Sequence, residues 1–155
     1  MKSLTIVTTW GTKYWPNPVQ PGLKSTIENW PAIMDVRQEN ANHFISLFKD
    51  KPWCRIQKTI GLSSWFTFGI VLEGELKGRR DKVVEALDEA KIQTRPIASR
   101  NFLKQPVMRD LEYIDNNDYT AADDIHDNGF FVGNGSVPIK DEITTLHGVI
   151  TNLLK

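Results

Sequence analysis

The sequence predicts one α+β domain in two layers, a short sheet covered by helices, and three observations carry this. Ser64–Leu72 alternates with the two-residue period of a strand, placing Phe66, Phe68, Ile70 and Leu72 on one face and Trp65, Thr67, Gly69 and Val71 on the other. Apolar stripes of helical period flank this strand-like middle, from Leu23 to Phe48 and from Ile139 to Leu153. With 155 residues, 40% hydrophobic and 25% charged, the chain is long enough for one real core and too short for two.

Taken in order, Leu4–Thr9 is rich in β-branched residues and reads as a short strand. Trp10–Gly22 holds three prolines and two glycines, which makes it an arm rather than an element. The expected division is an arm over 1–22 and a domain over 23–155. Trp10, Tyr14 and Trp15 lie in the arm, which cannot bury them alone; they pack on their own domain or on a partner. Leu23, Ile27, Trp30 and Met34, then Ala41, Phe44 and Phe48, mark a helix. Pro31 divides it, with Asn29 placed to cap the second part.

Lys51-Pro52 ends that helix, Trp53–Ile60 reads as a strand and Gly61 as a turn. After the connection at Glu73-Gly74, a helix over Arg79–Lys91 lines up Val83, Leu87 and Ala90. Ile92–Ile97 is a short strand, confined to an edge by Pro96. Asn101–Asp110 reads as loop with at most a helical turn, and Asp115–Asp118 as a polar turn. Thr120 starts a helix as its cap, and Asn128-Gly129 offers a left-handed stop. Phe130–Val132 is a buried strand and Gly133-Asn134-Gly135 a turn needing positive φ. The closing helix carries Ile139, Ile143, Leu146, Ile150 and Leu153 on one stripe, with Asp141 and Glu142 in its first turn, where the helix dipole favours them.

Nineteen basic and nineteen acidic residues balance, which argues against a nucleic-acid binder and weakens the case for a membrane-surface protein. No apolar run is long enough to span a bilayer. The apolar run at Met1–Val7 is too short for a secretion signal, and a cytoplasmic location is expected. Asn134-Gly135-Ser136 then reads as a chance sequon. Cys54 is the single cysteine, so an internal disulfide and a cysteine metal knuckle are both excluded, and its apolar context marks a buried structural thiol. His43, His126 and His147 have no zinc-helix spacing, so no metal is expected. His126 sits in the last turn of its helix, as a dipole partner or as a general acid or base. Arg95, at a strand end beside Asn101 and Lys104, suits a phosphate or carboxylate, or a surface salt bridge. Gly133-Asn134-Gly135 lacks the lysine and the third glycine of a phosphate loop.

Three blocks together carry a family resemblance: Ser64-Trp65-Phe66-Thr67-Phe68, Gln93 through Phe102, and Ile125 through Asn134. They resemble the C-terminal part of nucleotide-sugar 3-dehydratases in the pyridoxal-phosphate DegT/DnrJ/EryC1 sugar aminotransferase family, and Trp30–Phe44 resembles the helix leading into that part. The resemblance implies a fold type I small domain, with a short, mostly antiparallel sheet and helices on one face. In full-length relatives it implies loss of the 3-hydroxyl from a nucleotide-linked 4-keto-6-deoxyhexose, with pyridoxamine phosphate as electron sink. It implies substrate contacts at Arg95, Asn101 and, more weakly, His126. Residues 1–22 do not follow the family pattern, Arg100 stands where it has glycine, and Gly135 where it has histidine. Family members are more than twice this length, and their cofactor sits in a large domain. The chain is therefore expected to bind no pyridoxal or pyridoxamine phosphate alone, and to be inactive by itself. It is expected to associate with itself or with a missing large domain, and to meet a nucleotide sugar only as one wall of a cleft. The alternative is a non-catalytic binding or assembly module that uses its aromatic arm.

Overall fold

The computed structural model describes residues 19–98, 100–114 and 118–155. The strand expected at Leu4–Thr9, the aromatics Trp10, Tyr14 and Trp15, and Asp115–Asn117 lie outside the described residues. Five α-helices are described: α1 Val19–Glu28, α2 Trp30–Phe48, α3 Arg80–Glu89, α4 Thr120–Asn128 and α5 Lys140–Asn152. Four strands, β1 Cys54–Ile56, β2 Thr67–Leu72, β3 Thr94–Arg95 and β4 Gly129–Gly133, form one sheet in the order β1-β2-β4-β3. Every pairing is antiparallel.

The register fixes two faces. Phe68 pairs with Val132, Ile70 with Phe130 and Leu72 with Cys54, so these side chains share the core face. On them pack Phe44 and Phe48 of α2, Val83 and Leu87 of α3, and Ile143, Leu146 and Ile150 of α5. Phe44 stacks on Phe68 with ring centroids 4.4 Å apart and on Phe48 at 4.5 Å. Helices thus cover this face as the sequence predicts, while the short α4 lies on the opposite one. Arg55 and Val71 point to that second face, and Arg55 reaches Asp124 of α4 at 2.8 Å and Glu73 at 2.7 Å.

Several local expectations are corrected. Residues 19–22 are helical rather than arm, because Pro21 falls in the first turn of α1, where a missing N–H costs nothing. Asn29 does not cap α2: its φ of −90° and ψ of −1° are still helical, and its Nδ2 donates back to Ser25 O at 2.9 Å. The chain therefore bends there without a capped restart. The strand expected over Trp53–Ile60 stops at Ile56, because Gln57 takes over from backbone pairing; its side-chain amide bonds Thr67 O and Gly69 N. The strand expected over Ile92–Ile97 keeps two residues, although it is the edge strand foreseen. Of the stripe on α3, Val83 and Leu87 are buried and Ala90 only half-buried.

Strand β2 starts at Thr67, not Ser64. Trp65 takes a left-handed φ of 46° and is buried, while Phe66 turns outward, 68% exposed. Arg37 lies over the Phe66 ring at 5.3 Å. Thr120 is the first residue of α4 rather than its cap, and Asp118 Oδ1 accepts from its hydroxyl at 3.2 Å. Gly129 is extended, with φ −93° and ψ 141°, so α4 runs straight into β4 without a left-handed stop. Glycine is needed there for space, since a Cβ would lie 2.5 Å from Ile125 O and 2.9 Å from Ile97 Cδ1.

Gly133 and Gly135 do not adopt positive φ either. Asn134, buried between them, is the centre of a polar knot. Its Nδ2 donates to Trp65 O at 2.7 Å and to Arg37 O at 3.1 Å, while its Oδ1 accepts from Asn40 Nδ2 at 3.1 Å. Asn40 in turn donates to Val137 O at 2.9 Å and accepts from Ile139 N at 3.1 Å. Two buried amides thus join α2, the start of β2 and the lead into α5. They also close the sequon: the Asn134 amide is turned inward and fully engaged.

Candidate functional site

The site is built on the connection from β3 to α4. At the sheet edge Arg95 pairs by register with Phe131, so its side chain lies on the second face, exposed. Its guanidinium has no hydrogen bond or ion pair among the described residues, and the salt bridge weighed for it from the sequence does not form there.

Asn101 and His126 are brought together. Asn101 is 5% exposed, and its backbone N–H donates to His126 Nδ1 at 3.3 Å. That contact requires an unprotonated Nδ1. Asn101 Nδ2 donates to Asp123 Oδ1 at 2.8 Å, and its Oδ1 accepts from Leu103 N at 3.0 Å, starting the 3₁₀ turn Phe102–Lys104. Lys104 Nζ meets the same Asp123 oxygen at 2.7 Å and Asp127 at 3.8 Å. The Lys104 and Asn101 hydrogen bonds hold the Asp123 carboxyl below its usual range, and the bond to Asp123 raises Lys104 in return. Arg80 donates to His126 O at 2.9 Å, tying α3 to the end of α4.

Asp123 is the residue that sequence reading missed, although a signal was present. Asp123 and Asp127 stand one helical turn apart, which suits them to grip a loop carrying Asn101 and Lys104 three residues apart. Beside them Asp124, which burial alone would raise, is held below its usual range by Arg55, Lys77 and Asn128.

Cys54 and the other histidines lie apart from this cluster. Cys54 donates weakly to Phe48 O at 3.8 Å, and burial, with Glu73 adding, pushes its thiol up to about 12. The folded protein should therefore resist Ellman's reagent at pH 8 and react fully in denaturant; fast native labelling would contradict the buried-thiol assignment. His43 Nε2 pairs with Thr144 Oγ1 at 2.9 Å. His147 stands edge-on to Phe48 at 5.3 Å, and burial, with Lys51 adding, holds its titration below the ordinary value. Among the described residues no three metal-ligating side chains converge, and no helix is long and apolar enough to cross a membrane.

A four-stranded antiparallel sheet under α2, α3 and α5, with a loop clamped to α4, defines a small α+β domain of the pyridoxal-phosphate aminotransferase fold. The chain belongs to the DegT/DnrJ/EryC1/StrS aminotransferase family, whose model matches residues 23–147. It is 36% identical over 125 residues to the GDP-4-keto-6-deoxy-D-mannose 3-dehydratase of Escherichia coli O55:H7, covering 80% of this chain and 32% of that protein. The E. coli enzyme solved with bound hydrated PLP superposes with a TM-score of 0.75, over 81% of this chain and 32% of that one. PseC of Helicobacter pylori, an aminotransferase of pseudoaminic acid biosynthesis, matches at a TM-score of 0.69 with 15% identity, a likeness of fold alone. The chain spans about a third of the length of the curated dehydratases it matches.

The cofactor of those structures does not fit the glycine-rich segment here. Gly133 and Gly135 flank an asparagine whose amide is consumed internally, with no lysine beside it.

Proposed function

We propose that the chain acts as the C-terminal small domain of an enzyme that processes a nucleotide-linked deoxysugar. It supplies one wall of the substrate cleft, while the pyridoxal or pyridoxamine phosphate is held by a large domain beyond the matched region. The observation that carries this reading is the shape of the match: 36% identity over 80% of this chain but 32% of the dehydratase. The reaction it serves is removal of the 3-hydroxyl from a nucleotide-linked 4-keto-6-deoxyhexose. Arg95 is the direct ligand contact, because its exposed guanidinium is free to grip a phosphate or carboxylate in two places. Asn101 and His126 serve the substrate through the loop they hold in place.

One observation favours association as well. Ile60, Leu62, Phe66 and Trp30 are large apolar side chains left exposed, which supports contact with another body. A large domain of that enzyme is the occupant in the first reading. A second copy, or the partner of a non-catalytic module, is the occupant in the second.

The cofactor part of the proposal has a direct test. The chain is mixed with equimolar pyridoxal phosphate, reduced with borohydride and weighed intact. No stoichiometric label is expected; one lysine labelled to completion would place the cofactor in this chain and overturn the reading.

A further inference from the structure

We infer that Arg100 is a ligand-contact residue that binds a phosphate group at a groove formed by Pro96, Ala98, Phe102, Gln105, Pro106 and Val107. The inference rests on the reading that this loop faces a nucleotide-linked substrate, and it adds a residue which that reading does not use. Arg100 has a φ of 57°, a left-handed conformation that favours glycine and disfavours every side chain. Ala98, two residues earlier, has a φ of 40°. The backbone is held in this shape from both sides. Arg100 N donates to Ile97 O at 2.9 Å, and the next residue, Asn101, is fastened to His126 and Asp123. The loop therefore keeps a conformation in which glycine would be the more stable residue.

The arginine side chain gives the fold nothing visible in return. Its guanidinium makes no hydrogen bond or ion pair among the described residues. It lines a groove of about 560 Å³ whose other described lining residues include no acid, so its charge is uncompensated there. A cation at a strained position, without an internal partner and beside open space, is matched by an anion from outside the chain. Phe102, Val107 and the two prolines make most of the rest of the wall apolar, with Gln105 its one other polar residue, which suits a phosphate carried on a ring-bearing group rather than a bare ion.

The test uses the full chain labelled with ¹⁵N and titrated with inorganic pyrophosphate, then with GDP. Saturable shifts are expected in the backbone amides of Arg95, Ile97, Ala98 and Arg100 through Gln105, with GDP binding more tightly than pyrophosphate. R100G should weaken both by about tenfold or more, the loss of a charge-assisted pair, while melting no earlier than the parent. R100K should fall between the two, keeping the charge but not the planar fork. Absence of saturable shifts in the parent, equal affinity in R100G, or an R100G protein that melts clearly earlier would overturn the assignment. The last of these would make Arg100 a residue of the fold. The readout needs neither cofactor nor second domain, so its failure is separate from failure of the small-domain reading.

Discussion

Phe68→Ala should destabilise the domain by about 3–5 kcal/mol, whereas Phe66→Ala, two residues earlier, should change stability by no more than about 1 kcal/mol. Phe68 is fully buried, stacked on Phe44 at 4.4 Å and 9° between ring planes, and its removal opens a cavity under α2. Phe66 loses only its contact with Arg37 and gains water it already has. Urea denaturation of both variants at pH 7 makes the comparison. Equal costs would mean that the alternating pattern runs through Ser64 after all, and that Trp65 does not interrupt it.

The second large effect belongs to Asn134. Asn134→Ala strips the Asn134 amide from the buried Trp65 O and one partner from the buried Asn40, and leaves Arg37 O with its helical bond alone. Leaving buried polar groups unsatisfied costs about 1–3 kcal/mol each before relaxation, so a loss of about 2–4 kcal/mol is expected. Gly133→Ala should cost less than about 1 kcal/mol, because nothing lies within 4 Å of the added Cβ and its φ is not positive. If the glycine change proved the more damaging of the two, the segment would be the tight turn that its sequence suggests.

These two contrasts also mark how far the sequence could be read. Element order, the core face of β2 from Phe68 to Leu72 and the Ile143, Leu146, Ile150 stripe of α5 all follow from periodicity, because burial on one side forces it. Periodicity cannot show where a strand begins when a left-handed residue such as Trp65 reverses the phase. Nor can it separate a glycine kept for φ from one kept for space. Gly129 looked like a helix stop, yet its neighbours Ile125 O and Ile97 Cδ1 are what exclude a Cβ. Asn134 was hidden for a related reason: asparagine between glycines has the composition of a turn, and only the fold brings Asn40, distant in sequence, against it.

In the sequence Arg95, Asn101 and His126 are candidates by chemistry and by the family blocks they belong to; the fold brings Asn101 and His126 into direct contact. Their dependence on Asp123 was not legible, since a carboxylate on an exposed helix most often faces water. The clamp emerges only when the loop after β3 is laid across α4.

The central claim is that this chain is an interchangeable small domain of the dehydratase family, and a domain exchange tests it most directly. The matched third of the E. coli O55:H7 enzyme is replaced by residues 23–155, and turnover of GDP-4-keto-6-deoxy-D-mannose is measured alongside pyridoxal phosphate uptake. The account predicts a chimera that takes up the cofactor and releases the 3-hydroxyl at a rate well above that of the E. coli enzyme truncated at the same boundary. A chimera that folds and takes up the cofactor, yet turns over no faster than the truncated enzyme, would contradict it.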